Sequence, residues 1–344
     1  FDAMNRPVAT IDALGRTNSF SYDAAGNRLT SSRPDGTAST NSYDSMNRLL
    51  KTVDALNQTN SFAYNDLDQL VTLTDAKGSV TTWAYDALGR QTNKAYADSN
   101  GDTYRYDALG RLTNHVNGAN QSQTLTYDSH NRLLTTAWND GSTSGTWRSY
   151  DAASRLLVLS NSVSVITNAY DDVGQLSSES QTVSGQSSRT LSYAYNADGQ
   201  RQSLTYPSGL VLTNDYTARG QLASLTFDGP PPLVTYGYDL AGHRTTRAYE
   251  NGVNAYYTND NAGQLLALAH VKTNGGSVIV QVNHAYNELG NRTNRVESFT
   301  GFNSVTDTYG YDSTDQLTNV NYSGGARITS FGFDKMGNLT NRQD

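Results

Sequence analysis

The sequence predicts an all-β protein, a long array of antiparallel β-hairpins of about 21 to 22 residues each that spirals into a hollow shell or tube. Three observations predict it. An aromatic residue with a turn-forming tail returns from one end of the chain to the other. A residue that tolerates positive φ stands at a fixed offset behind that aromatic. Helical periodicity is absent, so no layer of helices is available to cover a sheet.

The unit is clearest at Tyr106-Asp107-Ala108-Leu109-Gly110-Arg111-Leu112. With the aromatic as position zero, anchors fall at 22, 43, 64, 85, 106, 127, 150, 170, 195, 216, 238, 259, 286, 311 and 333. The early spacing is a strict 21, and later gaps run from 20 to 27. A repeat of this length points to a repetitive architecture before any other fold. The residues that define it are, in four copies, Tyr22, Asp23 and Gly26; Tyr85, Asp86, Gly89 and Arg90; Tyr106, Asp107, Gly110 and Arg111; and Tyr127, Asp128 and Arg132.

Each position has its own physical reason. Thirteen of the fifteen anchors are Tyr, with Phe333 and Asn259 the exceptions. Further aromatics stand two residues earlier, among them Phe20, Trp83, Tyr104 and Tyr309, which places both rings on one face of a strand. Position one is Asp, Asn or Thr, whose side chains accept bonds from backbone N–H groups ahead of them and start a turn. Position four is Gly in ten copies and Asn, Asp or Ser in the rest. A left-handed residue there closes a type I turn followed by a bulge. Arg or Gln follows, and a strand resumes. Copies ending Gly26-Asn27-Arg28 and Gly290-Asn291-Arg292 read as carrying one added residue, so bulges are expected at those sites to preserve the facing of later side chains.

Half a repeat later a looser turn appears, as at Pro34-Asp35-Gly36, Ser99-Asn100-Gly101-Asp102, Asn117-Gly118, Glu250-Asn251-Gly252 and Gly324-Gly325. One repeat is then two strands and two turns. A partial repeat covers residues 1–21, opened by Phe1-Asp2-Ala3-Met4-Asn5-Arg6, and fifteen anchored repeats fill 22–344. Residues 1–110 are the most regular. Echoes such as Ile11-Asp12-Ala13-Leu14-Gly15-Arg16 and Val53-Asp54-Ala55-Leu56-Asn57 suggest that both edges of the sheet use related turns. Residues 111–230 have longer turns, notably Asn139 to Gly145, and Pro230-Pro231-Pro232 belongs in an edge turn because proline cannot serve a strand ladder. The longest insertions, Thr273 to Ser277 and Phe299 to Ser304, are the expected protrusions.

Length alone suggests two or three domains, but the unbroken repeat argues for one continuous array over 1–344. The chain opens at Phe1 and ends at Asp344 inside a repeat, so it reads as an excerpt of a longer protein. Apolar residues are 36%, with 23 Tyr and 29 Gly, as suits a β-repeat with polar outward positions. A net charge of −7 argues against a nucleic-acid partner, and no apolar run is long enough for membrane insertion. Zero Cys excludes disulfides and thiolate metal sites, and fits an exported bacterial protein at the cell surface or outside the cell.

About thirty strands at roughly 4.8 Å spacing would extend about 140 Å. Open sheets of that breadth curl, so the array is expected to wrap and to cover one face with ladders of Tyr, Leu and Trp. The Arg or Gln at position five is expected near the Asp of neighbouring hairpins, where a ladder of pairs would set register.

These residues carry a family resemblance. The Tyr-Asp-x-x-Gly-Arg-Leu unit at ~21-residue spacing resembles the YD repeat of Rhs proteins, of the shell components of bacterial Tc toxins and of teneurins, across essentially all 344 residues. The resemblance implies a hairpin ribbon wound into a hollow shell that often encloses a toxic C-terminal segment. The partners it implies are the rest of a longer chain and an enclosed toxin domain. The conserved end of such shells, an Asp-Pro-x-Gly-Leu element with self-cleaving aspartates, has no match in this sequence.

No convergent chemistry stands out, so the expectation is a structural protein with no catalytic, cofactor or metal residues. His115, His130, His243, His270 and His284 are scattered without ligand spacing. Asp98-Ser99-Asn100-Gly101-Asp102 is similar to a calcium loop but lacks the distal bidentate Glu. Gly141-Ser142-Thr143-Ser144-Gly145 has Thr where a nucleophile elbow needs Ser. The periodic Asp residues read as turn starters and not as a glycosidase pair. Two rival readings remain: an adhesin that binds surface glycans through exposed aromatics, and a homo-oligomer or filament grown through unpaired end strands.

Overall fold

The computed structural model describes residues 1–323 and 327–344. Gly324 and Gly325, assigned to a turn from sequence, lie outside the described residues. Among the described residues thirty-one strands, from Ala9–Ile11 to Leu339–Gln343, belong to one antiparallel sheet. Neighbours in sequence are neighbours in space, as in the hairpin Gly101–Tyr106 with Leu112–Val116, which then pairs Ser122–Tyr127. Among the described residues no helix occurs, and so none is long and apolar enough to cross a membrane.

The contacts sort into two units, Phe1–Thr81 with Tyr236–Asp344, and Thr82–Thr235. In both, the anchored strands alternate as the period-two pattern requires. Strand Thr59–Tyr64 exposes Ser61 and Ala63 and half-covers Asn60, Phe62 and Tyr64, and Gly101–Tyr106 follows the same rule. The rings therefore share one face. They remain half-buried, because a sheet face with no second layer against it screens a side chain only with its neighbours on the same face. Among the described apolar residues only Val234, Ala255 and Val320 are below a tenth exposed.

The left-handed residue appears at position four in all fifteen anchored repeats, from Gly26 (φ 94°) through Asn47, Asp68, Asn131, Ser154 and Asp315 to Gly337 (φ 80°). The turn is the one the sequence implies. In the repeat anchored at Tyr106, the Gly110 N–H donates to the Asp107 carbonyl and the Asp107 N–H to the Arg111 carbonyl. Related turns close the other edge over the early repeats: Asp12–Arg16, Arg33–Thr37, Asp54–Gln58 and Asp75–Ser79 all make both bonds. In two of these second-edge turns the boundaries differ from the expectation. The turn placed at Ser99 to Asp102 runs from Tyr96 to Asn100, with Ser99 left-handed, and Gly101 opens the next strand. A Cβ on Gly101 would lie 2.4 Å from the Lys94 carbonyl, which explains the glycine. Likewise Asn120, not Gly118, is the left-handed residue of Asn117–Gln121.

Bulges are not special to the Gly-Asn-Arg copies. Tyr106 lies opposite Leu112 while Arg105 lies opposite Asn114, so Thr113 is the extra residue. The same shift occurs at Tyr22, Tyr127, Tyr170, Tyr286 and other anchors. The Gly26-Asn27-Arg28 copy has no added residue either: Asn27 takes position five and Arg28 takes the place that Leu112 fills elsewhere, opposite its anchor Tyr22.

Within the first unit, stretches far apart in sequence meet along their turns. Arg33 pairs with Asp315 at 2.8 Å and donates to the Ser313 carbonyl at 3.3 Å. Ser313 Oγ reaches the Ala55 carbonyl at 3.4 Å, Arg16 reaches Gln264 at 3.5 Å, and Lys77 pairs with Asp334. This seam sets second-edge turns of the early repeats against YD turns of the late ones. A cleft of about 250 Å³ lies along it, between Arg16, Arg33 and Pro34 on one side and Glu288, Leu289 and Asp315 on the other.

A repeated turn as the candidate functional site

The position-one aspartate organises the turn. Asp107 Oδ1 accepts from the N–H groups of Leu109 and Arg111 at 2.9 Å each, and Oδ2 accepts from Arg111 Nε at 2.7 Å. The same three bonds recur at Asp44, Asp86 and Asp128. The Arg111 backbone bond, then its side chain, hold the Asp107 carboxyl below the ordinary aspartate value, outweighing the opposing cost of partial burial. At Asp86 the Arg90 side chain is the leading cause.

The position-five arginine pairs first with its own hairpin's aspartate, and the carboxylate of the next hairpin joins only where position four there is Asp, as when Arg48 holds Asp44 at 2.7 Å and Asp68 at 2.8 Å. The ladder expected from sequence thus runs mainly within each turn. The reason is reach: Asp and Arg sit four residues apart across a tight turn, facing each other. The link to the neighbour is made by the rest of the guanidinium. Arg111 Nη1 donates to the Asp128 carbonyl at 3.1 Å and to Asn131 Oδ1 at 3.0 Å, and the group lies 4.9 Å over the Tyr127 ring. Arg90, Arg132 and Arg155 stack on Tyr106, Tyr150 and Tyr170 in the same way. One side chain thus closes its own turn and grips the next. In its place Asn27 donates to both Asp23 and Asn47 at 2.8 Å, and Gln200 reaches the Gly220 carbonyl at 2.9 Å.

The tyrosine hydroxyl has a partner that sequence reasoning missed. Tyr127 donates to the Leu112 carbonyl at 2.8 Å, and Tyr106, Tyr150, Tyr195 and Tyr311 donate to Gln91, Leu133, Leu176 and Arg292. Each acceptor is position six of the preceding repeat, beside the bulge that interrupts the ladder. Where Asn259 replaces the anchor, its amide points to the Arg244 carbonyl, the same acceptor, at 3.5 Å. Asn41, Asn168 and Asn214, two residues ahead of their anchors, donate to that position as well. The signal was present in the sequence as the preference for Tyr over Phe.

The remaining candidates take separate places. Asp98 holds Asn100, whereas Asp102 leaves the turn and accepts from His115 Nε2 at 2.9 Å and the Tyr96 hydroxyl at 3.0 Å, so the two acids do not converge. His115 stacks on Tyr104 with centroids 4.9 Å apart. His243 fills an arginine's place, 3.0 Å from Asp239. Thr143 donates to Asp140 in its turn. Among the described residues no group of three or more His, Cys, Asp or Glu is placed to hold a metal ion.

Comparison with known proteins follows this geometry. The family profile RHS Repeat matches residues 1–38, 22–59, 64–103, 106–143 and 170–211, together a little over half of the chain. No curated protein matches the sequence. Among solved structures, the TcdB2-TccC3 crystal structure superposes with a TM-score of 0.79 at 16% identity, over 100% of this chain and 23% of that one. The Photorhabdus luminescens Tc holotoxin pore gives 0.77 at 15% identity, over 96% of this chain and 21% of that one. A form of TcdB2-TccC3 without its hypervariable C-terminal region gives 0.67 at 15% identity. This chain therefore spans less than a quarter of the length of the chains it superposes on, and the likeness is one of fold. A profile matched over more than half of the chain, and a hairpin clip repeated at the same offsets, lead to one assignment: the chain belongs to the RHS repeat family.

Proposed function

We propose that this chain is a non-catalytic wall segment of an exported bacterial RHS-type shell, one continuous array that works with the rest of a longer chain to enclose a toxin or other cargo. The observation that carries the reading is the clip. Asp, Arg, Tyr and the left-handed residue are consumed in joining each repeat to the next, so the groups capable of acid–base chemistry already have structural partners. The seam supports it too, because a ribbon whose late turns rest on its early ones has the contacts a wound wall needs. The toxin assemblies with the same fold give the reading its cargo and its extracellular setting.

The test is direct. Negative-stain electron microscopy of the purified chain should show hollow or curved, tube-like particles, and solid globules would overturn the shell. A folded reporter with an unstructured tail, fused after Asp344, should have that tail protected from protease relative to the free reporter. Equal cleavage in both would remove the enclosure.

A further inference from the structure

On the ring-bearing face of the late repeats, position six and its same-face neighbour depart from the pattern. Ten of the fifteen anchored repeats place Leu at position six, as Leu112 and Leu133 do. The repeat anchored at Tyr238 has Arg244 and Arg247 there, and the one anchored at Tyr286 has Arg292 and Arg295. Register places them on one face. Arg247 lies opposite Ala255, which lies opposite His270, then Val280. Val280 and His284 alternate with Tyr286, and His284 faces Arg295, which faces Asp307.

Only Arg295 is neutralised, by Asp307 at 3.0 Å and by Glu297. Arg244, Arg247 and Arg292 have no carboxylate and rest on rings: Arg244 over Tyr236 and Tyr257, Arg247 over Tyr249, and Arg292 over Tyr309 at 4.6 Å. The Nε atoms of Arg247 and Arg292 and the Nδ1 of His284 are buried without a hydrogen-bond partner. Unpaired buried polar atoms are costly, so this face carries arginine whose hydrogen-bonding capacity its own chain leaves unsatisfied. Arginine held flat on tyrosine keeps its free edge for anions. Burial, with Arg292 and Arg295 beside it, holds His284 below the usual imidazole range, so near pH 7 the charge on this face is carried by arginine.

We propose that this face of the late repeats is a binding track for an extended, acidic polypeptide. Four strand spacings separate the two arginine pairs, about 19 Å at roughly 4.8 Å each, which is too far for one small anion and suits a run of six or so extended residues. Carboxylates spaced along a peptide meet isolated guanidiniums one at a time. A nucleic acid, with a phosphate at every step, would press its charge against Glu297 and Asp307 as well. The track does not depend on the shell reading, since it concerns what this face binds and not what the ribbon encloses.

The experiment uses the full chain and a fluorescein-labelled oligo-glutamate of about twenty residues, followed by anisotropy at low and moderate salt. The wild type should bind, with weaker binding as salt rises. The triple variant Arg244→Gln, Arg247→Gln, Arg292→Gln should bind at least about tenfold more weakly, from three ion pairs each contributing a few-fold. The corresponding Arg→Lys triple should keep most of the affinity, which separates lost charge from lost fold. A control triple elsewhere, Lys51→Gln, Arg105→Gln, Lys335→Gln, changes the net charge equally and should bind like the wild type. No binding by the wild type, equal loss in the control, or tighter binding of oligo-deoxythymidylate of equal length would each overturn the proposal.

Discussion

Tyr127 would bury as much ring as a phenylalanine, so its hydroxyl has to be explained by the bond it donates to the Leu112 carbonyl. A neutral bond of this kind contributes about 1 kcal/mol net. Tyr127→Phe should lower the local opening free energy by about that amount, read from hydrogen exchange of the amides in Leu112–Val116 and Ser122–Tyr127; unchanged protection would show the hydroxyl to be idle. The reverse change, Asn259→Tyr, should replace a 3.5 Å contact with a full bond and slow exchange in its hairpin. Ser154 holds φ at 66° with a side chain that prefers otherwise, and Ser154→Gly should stabilise its turn by about 1 kcal/mol. The aspartates supply the pH dependence. Asp44, Asp86, Asp107, Asp128 and Asp151 all have carboxyls held below the 3.8 of an unperturbed aspartate. A group depressed in the folded state stabilises fully above its unfolded value, and that contribution is lost as pH falls through the folded one. Thermal melts should therefore be level in this respect from neutrality to about pH 4 and fall steeply below it. A melting temperature that declined already between pH 7 and 5 would place the sensitivity elsewhere.

At the scale of the hairpin, the bulge and the hydroxyl are one device. The extra residue Thr113 restores the facing of the strand that follows, and the ladder interruption beside it leaves a carbonyl that the next repeat's tyrosine takes up. Deleting Thr113 should therefore do more than shorten a strand: Asn114 to Val116 would turn over, and His115 would leave Asp102 and Tyr104. The expected result is a large drop in melting temperature or loss of soluble protein, and a melt within about 2 °C of wild type would show that the bulge can migrate. This scale was the most legible in the sequence. Period, turn type and the left-handed position follow from Tyr, Asp and Gly at fixed offsets, since each of those residues answers a local backbone demand. One local detail differs for a physical reason: Asn27 imitates arginine with a short amide, which looks like an insertion unless hydrogen bonding is considered. The tyrosine's acceptor was hidden because it lies fifteen residues upstream, in a carbonyl of no particular residue type.

At the scale of the molecule the sequence was silent about the seam. Its partners are 248 to 282 residues apart and belong to turns that look like every other turn. Arg33 and Lys77 sit in turns whose residues vary, and Asp315 is there for its left-handed backbone, so their pairing follows from the path of the ribbon and not from local pattern. Exposed ion pairs contribute little to stability, and Arg33 with Asp315, each about a third exposed, is better regarded as fixing which turns meet. A cross-link tests this without relying on energetics. Ser313 Oγ lies 3.4 Å from the Ala55 carbonyl, so the two turns touch and a pair of cysteines placed there probes that contact. In a chain with no native Cys, Ala55→Cys with Ser313→Cys has only one intramolecular disulfide to form. Mild oxidation of the folded double variant should give a monomer of faster mobility on non-reducing gels, reversed by reductant. The two cysteines enclose 257 residues, so the oxidised form should also resist thermal unfolding more than the reduced one. The pair Ala55→Cys with Ser277→Cys, whose second member lies in a second-edge turn of the late repeats and not in a YD turn of the seam, should stay reduced under the same conditions. If both pairs oxidise alike, or if neither does, the late turns do not rest on the early ones, and the wound wall loses the contact that supports it.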